Sequence, residues 1–209
     1  MSKLVYATTN PGKFAEVQKH LSHHGLTITS PTELGISLDV DEPGETLEEN
    51  ARLKAESYLD LLPASTIIIG DDTGVEIDAL GGEPGIKVRR WKGYKMTDEE
   101  IIDYTIERLY GVPAKLRGAQ FRTVLAIAGR GQPTRYFDGV LRGQILTHPR
   151  PERREGMPFW PIFYLPKLQM TLGEFHSQSM DFQLAHPTHR EKAVLAALPY
   201  LQSLRTSLN

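Results

Sequence analysis

The run Ile67-Ile68-Ile69 passes directly into Gly70-Asp71-Asp72-Thr73-Gly74, and this junction constrains the fold more than any other segment. Three consecutive β-branched apolar residues read as a strand buried on both faces. Strands of that kind belong to parallel or mixed sheets covered by helices. The spacing predicts a strand over 66–69 that ends at the Asp pair, where a glycine-rich turn begins. Carboxylates at strand ends of α/β sheets lie where ligands gather, and they suit a divalent cation carrying phosphate. Asp pairs also punctuate ordinary turns, so the pair needs support from the rest of the chain.

That support begins with the alternation of elements. Leu4 to Thr8 reads as a first strand, and Asn10-Pro11-Gly12 as a turn. Lys13 to His24 reads as a helix with Phe14, Val17 and Leu21 at helical spacing, stopped by Gly25. A short strand over Leu26 to Ile28 follows. Thr46-Leu47-Glu48-Glu49 has the form of a capping box and opens a second helix; Thr97-Asp98-Glu99-Glu100 opens another, to Leu109. Phe121 to Ala128 and Arg135 to Leu146 read as strands joined through Gly129 to Pro133. The charged, proline-bearing stretch Thr147 to Pro158 reads as a mobile loop, and Pro161 to Tyr164 as a short strand. Arg190 to Leu204 reads as a last helix with Ala193, Val194, Ala197 and Leu201 on one face. The pattern is α/β with a mixed sheet, and residues 1–209 read as a single domain.

Composition narrows the function classes. A net charge of −2 over 209 residues provides no basic field for long nucleic acid, so phosphate must be held by local groups. With no cysteine, thiolate metal sites, disulfides and cysteine nucleophiles are excluded. No stretch approaches the roughly 20 apolar residues of a membrane span, and the expectation is a cytoplasmic enzyme.

Thr8-Thr9-Asn10-Pro11-Gly12-Lys13 sets hydroxyls, an amide and a lysine between a strand and a helix N-terminus, where backbone N–H groups and the helix dipole favour an anion. Read blandly, it is a turn followed by a solvated lysine. Glu49 has two readings: the reciprocal half of the capping box, or a carboxylate that shares a Mg²⁺ with Asp72. His20 and His24, four residues apart, lack a third ligand and read as histidines at a helix C-terminus. His23, His148, His176 and His186 show no ligand spacing and read as surface residues.

Taken together, Thr8-Thr9-Asn10…Lys13, Glu45-Thr46-Leu47-Glu48-Glu49-Asn50-Ala51…Lys54-Ala55 and Asp71-Asp72-Thr73-Gly74…Asp78-Ala79-Leu80-Gly81-Gly82…Pro84-Gly85 resemble the inosine/xanthosine triphosphate pyrophosphatases. These enzymes hydrolyse deaminated purine nucleoside triphosphates to monophosphate and pyrophosphate. The resemblance continues through Arg117-Gly118-Ala119-Gln120-Phe121, Phe137-Asp138-Gly139…Gly143-Gln144-Ile145 and Thr188-His189-Arg190, and so spans nearly the whole chain. It implies an elongated two-lobed α/β fold with a long curved mixed sheet, an active-site cleft between the lobes, and a homodimer. It further implies that Glu49 and Asp72 attend Mg²⁺, with Asp72 activating the attacking water. Thr8, Asn10, Lys13 and Lys54 become triphosphate contacts; Asp71 reads as structural or as a support beside the metal site, and Asp78 as structural. Chemically this is coherent, because phosphoryl hydrolysis needs positioning, charge neutralisation and an oriented water.

The base-recognition end departs from the family. Gly156-Met157-Pro158-Phe159-Trp160-Pro161 stands where the family has glycine-phenylalanine-glycine-tyrosine-aspartate-proline. Phe159 keeps an aromatic ring able to stack on a base; Trp160, a base contact or a packed aromatic, replaces an acceptor carboxylate with a donor-only indole. Leu184 stands at the spacing of a family lysine. His189 and Arg190 remain as donors for a base carbonyl. The leading expectation is a Mg²⁺-dependent nucleoside triphosphate pyrophosphatase acting on non-canonical purines. A shifted base specificity, or a catalytically silent nucleotide-binding protein on the same scaffold, stays open.

Overall fold

The fold is a computed structural model that describes residues 3–38, 40 and 43–207. One eight-stranded mixed sheet organises it, with order β2-β1-β3-β5-β6-β7-β8 and β4 paired to β3. Its strands are β1 Leu4–Tyr6, β2 Ile28–Thr29, β3 Ile67–Ile77, β4 Pro84–Gly85, β5 Gly118–Gly129, β6 Arg135–Ile145, β7 Phe163–Leu165 and β8 Met170–Thr171. The helices are α1 Pro11–His23, α2 Leu47–Glu56, α3 Asp98–Arg108, α4 Leu172–His176, α5 Met180–Ala185 and α6 His189–Ser207. β1 runs parallel to both β2 and β3, whereas β4, β7 and β8 pair antiparallel with their neighbours. The expected mixed α/β sheet flanked by helices is therefore present.

The chain divides into two compact units, Met1–Thr73 with Thr123–Val140 and Thr188–Asn209, and Gly74–Arg122 with Leu141–Pro187. In the first, Leu4, Tyr6, Ile67 and Ile69 pack with Val17 and Leu21 of α1 and Ala193, Val194, Ala197 and Leu201 of α6. The predicted apolar face of the last helix is thus the buried one. In the second, Phe121, Phe159, Phe163 and Phe175 pack with Ile101 and Ile102 of α3. Among the described residues no helix is long and apolar enough to cross a membrane.

Several boundaries differ from expectation for identifiable reasons. α1 starts at Pro11 rather than Lys13, because the Asn10 side chain accepts from the Gly12 and Lys13 amides and so acts as the cap. Both capping boxes form as predicted, Thr46 with Glu49 and Thr97 with Glu100. β8, α4 and α5 went unforeseen: two to six residues long, they carry too few periods to register as patterns. The largest correction concerns the Asp pair. β3 does not end at residue 69; it continues to Ile77, and Asp71 and Asp72 lie inside it. The alternating Val75 and Ile77 extend the buried strand, and the carboxylates can sit there because each is met by cations or amides.

Candidate active site

Glycine at residue 70 sets the site's geometry. A Cβ there would run into the Ala51 carbonyl and the Ala55 amide, so α2 lies against β3 at backbone distance. That approach carries Asn50 and Lys54 onto the Asp pair. Lys54 Nζ donates to the Asp71 carbonyl at 3.0 Å and pairs with Asp72 Oδ1 at 3.2 Å. Asn50 Nδ2 donates to Asp72 Oδ2 at 3.2 Å, while its own Oδ1 accepts from the Gly44 amide at 2.9 Å. Because neighbouring residues of a strand face opposite ways, Asp71 is held by a different set. Lys13 Nζ lies 3.0 Å from Asp71 Oδ2, and Arg190 Nε lies 3.5 Å from the same oxygen.

The electrostatics follow from burial and pairing. Burial alone would raise the Asp71 carboxyl, but Lys13, Arg190 and Lys54 override it and hold it well below the usual carboxylate range. Burial also lowers the Lys13 ammonium, with Asp71 acting in the opposite direction. Arg190 is held charged against its own burial by Glu16 and Asp71. Tyr6, fully buried, has its phenol pushed well up by burial and by the nearby Asp71 charge.

The β1–α1 loop is organised by its own side chains. Thr8 Oγ1 accepts from the Asn10 amide at 3.2 Å, and Asn10 Oδ1 accepts from Gly12 at 2.9 Å and Lys13 at 3.2 Å. Thr8 and Asn10 thus shape the turn that presents Lys13. Glu49 Oε2 accepts from the Glu45 amide at 2.7 Å and the Thr46 amide at 3.2 Å, so its capping role is realised. Among the described residues no group of three or more acidic or histidine side chains is gathered to hold a metal. The donor set still fits Mg²⁺, which is commonly held by one or two carboxylates together with substrate phosphates. Asp72 is 8% exposed and Glu49 sits at an exposed helix start.

Other predicted residues have different surroundings. Phe159 is 2% exposed and packs edge-on against Phe121 at 5.8 Å, so it is a core residue rather than a ring with a face free for a base. Trp160, half-buried, stacks on His176 at 4.1 Å and 11°; His176 is thus an aromatic partner rather than a plain surface residue. The stretch 147–158 is irregular as expected, but it is tied down: Arg153 pairs with Glu99 at 2.6 Å and the Gly156 amide donates to Asp98 at 2.7 Å. His189 and Arg190 open α6 and both are buried; the guanidinium bonds Glu16 and, at 3.3 Å, Thr73 Oγ1. His20 is likewise not a histidine at a solvated helix end. It is 2% exposed with Nε2 2.5 Å from Glu191 Oε1. Asp78 pairs with Arg142, as a structural residue would.

Sequence reasoning assigned no role to Asn50, Glu16, Tyr6 or Thr73. The only signal for Glu16 was its place one turn after Lys13, on the same helical face. Asn50 lay inside the quoted Glu45–Ala51 block, but nothing in its spacing said that it would reach residue 72.

Comparison with known proteins covers nearly the whole chain. Residues 4–200 match the family model described as the Ham1 family. The chain is 35% identical over 201 residues to the dITP/XTP pyrophosphatase of Caldanaerobacter subterraneus subsp. tengcongensis, covering 96% of each. It is 38% identical over 202 residues to the dITP/XTP pyrophosphatase of Yersinia pseudotuberculosis serotype I, covering 95% of this chain and 98% of that one. Among solved structures, the Ham1 protein of Staphylococcus aureus superposes with a TM-score of 0.77 at 32% identity, covering 97% of this chain and 99% of that one. A HAM1 protein from Coxiella burnetii gives 0.78 at 29% identity, with 97% and 100% covered. With its sheet order, its paired β3 carboxylates and matches over nearly every residue, this chain belongs to the Ham1 family.

Proposed function

We propose that the protein hydrolyses nucleoside triphosphates to nucleoside monophosphate and pyrophosphate, with non-canonical purine nucleotides such as dITP and XTP as the first substrates. The observation that carries this reading is the meeting of Lys54 and Asn50 on Asp72, beside Lys13 on Asp71. Two ammonium groups within one small region suit a polyanion, and relatives spanning nearly the whole chain are named for this activity. Thr8 and Asn10 shape the loop that offers Lys13, and Lys54 stands over the strand.

In this reading Mg²⁺ is held by Asp72 and Glu49 with phosphate oxygens, and supplies charge neutralisation for the triphosphate. Asp72 orients the attacking water, for which each carboxylate oxygen keeps lone pairs beyond those used by Lys54 and Asn50. Lys13 and Lys54 bind the phosphate oxygens and move no proton. A cytoplasmic homodimer belongs to the same reading, and sedimentation in solution tests the dimer.

The base specificity is read as shifted from that of the relatives, because the Trp160 indole, stacked on His176, offers no acceptor to a purine edge. A panel of dITP, XTP, dATP, dGTP and pyrimidine triphosphates, with Mg²⁺ and detection of both monophosphate and pyrophosphate, tests both statements. Release of pyrophosphate from any of them supports the activity, and the ranking reads the base preference. Folded protein that turns over none of them is the silent binder, and the enzymatic reading falls.

A further inference from the structure

Lys13, Glu16 and His20 recur at i, i+3 and i+7 of α1, so one face of the helix carries a polar stripe that is half-buried at Lys13 and buried at Glu16 and His20. Each member faces an ionisable partner. Lys13 pairs with Asp71, Glu16 with Arg190, and His20 with Glu191. The first four of these groups form a closed circuit of alternating sign: Lys13 of α1, Asp71 of β3, Arg190 of α6, and Glu16 back on α1.

The circuit contains a competition. Lys13 Nζ at 3.0 Å and Arg190 Nε at 3.5 Å converge on a single oxygen, Asp71 Oδ2. A guanidinium is the better partner for a carboxylate when it can present two N–H groups in parallel. Here its other edge is held elsewhere, one terminal nitrogen on Glu16 and the other on Thr73, itself bonded to Thr123 at 2.7 Å. Glu191 steadies the base from which Arg190 extends. It accepts from the Thr188 amide at 2.6 Å and contacts His20.

We propose that Glu16 is a positioning residue for the Lys13 ammonium, acting through Arg190 and Asp71. The inference rests on Lys13 being a triphosphate contact, as read above. Glu16 and Thr73 hold the terminal nitrogens of Arg190 away from Asp71, so that only Nε approaches Oδ2, at 3.5 Å, and Lys13 keeps the shorter contact at 3.0 Å. Asp71 uses one of the three ammonium protons and fixes the side chain, and two remain for phosphate oxygens. Without the Glu16 charge, the guanidinium turns fully onto Asp71 and Lys13 loses its anchor. The groups facing Lys13 are then Asp71 and Asp72 of β3, Lys54 of α2 and Arg190 of α6, and the two cations among them repel it.

A double-substitution cycle with dITP as the probe tests this. Lys13→Ala alone should raise KM, and an unchanged KM overturns the phosphate-site reading and the inference with it. Given that rise, Glu16→Gln should raise KM about tenfold with kcat nearly unchanged, because substrate capture is what Lys13 provides. In the Lys13→Ala background the same change should move KM by less than about twofold, since interacting positions are not additive. Glu16→Asp, which keeps the charge, should recover part of the wild-type KM. Equal KM effects of Glu16→Gln in both backgrounds, or a fall in kcat alone, overturn the proposal. Where Glu16→Gln folds only in part, the cycle is read on its folded fraction, since KM does not depend on the active fraction.

Discussion

The interiors of the two compact units are built from different materials. In the first, Glu16, His20, Asp71, Asp72, Arg190 and Glu191 are all buried, and most meet an opposite charge. In the second, Arg117 is the one charged side chain that is buried among the described residues, and the interior is carried by Phe121, Phe159, Phe163 and Phe175. Arg117 itself serves the backbone, donating to the carbonyls of Leu109, at the end of α3, and Ile145. Taking charges out of water is unfavourable unless they are paired, so a fold accumulates them where chemistry needs them. Aromatic packing, by contrast, contributes stability directly. The difference sets an interior of paired polar groups, where the proposed chemistry lies, against one of packed apolar rings.

The contrast can be broken most forcefully in the aromatic unit. Phe163 is fully buried in that core, and Phe163→Ala should destabilise the protein by about 3–5 kcal/mol. A thermal or denaturant melt reads this directly. A loss below about 1 kcal/mol would mean that the core is not what holds this unit.

Next in size is Asp72→Asn, which keeps shape and removes charge. Turnover should fall at least about 100-fold, equivalent to roughly 2.7 kcal/mol, while triphosphate binding measured by calorimetry persists. Its melting temperature should fall as well, because the amide oxygen can accept from only one of Lys54 and Asn50 and the Lys54 ammonium loses its counter-charge. Retained turnover would remove residue 72 from the chemistry.

The smallest effect belongs to an exposed pair. Asp78 and Arg142 meet at 2.5 Å, with both side chains about half exposed. The Arg142 guanidinium holds the Asp78 carboxyl below its ordinary value. A depressed carboxyl stabilises the fold above its unfolded pKa of about 4, and that contribution is lost as the pH falls below it. Asp78→Asn should therefore cost at most about 1 kcal/mol at neutral pH and nothing in strong acid. Equal destabilisation at pH 7 and pH 2 would assign the loss to packing rather than charge.

Much of this molecule was legible locally. Thr46 with Glu49 and Thr97 with Glu100 are capping boxes in sequence and in space, because a cap is satisfied within four residues. The buried face of α6 was readable for a similar reason, since helical periodicity reports which side meets a core. Asp72 and the lysines around it were legible as residue types in order. Their partners were not. Asn50 reaches Asp72 only because Gly70 lets α2 approach β3, and that closeness is a property of two packed elements.

Glu16, His20 and Arg190 make the boundary sharpest. As sequence, they are three polar residues that a helix could turn towards water, and His20 even sits where a helix C-terminus favours a solvated cation. Only the packing of α1 against α6 buried them, and it set Glu16 against Arg190 and His20 against Glu191. Phe159 is the converse, a ring that the sequence would offer to a base and that the second core encloses. The sequence by itself determined which elements form, where they are capped, and which chemical groups are available. Tertiary structure alone decided that Asp71 and Asp72 lie within β3 and face different partners. The reason is physical: capping and periodicity are local, whereas the environment of a charge depends on every element packed around it.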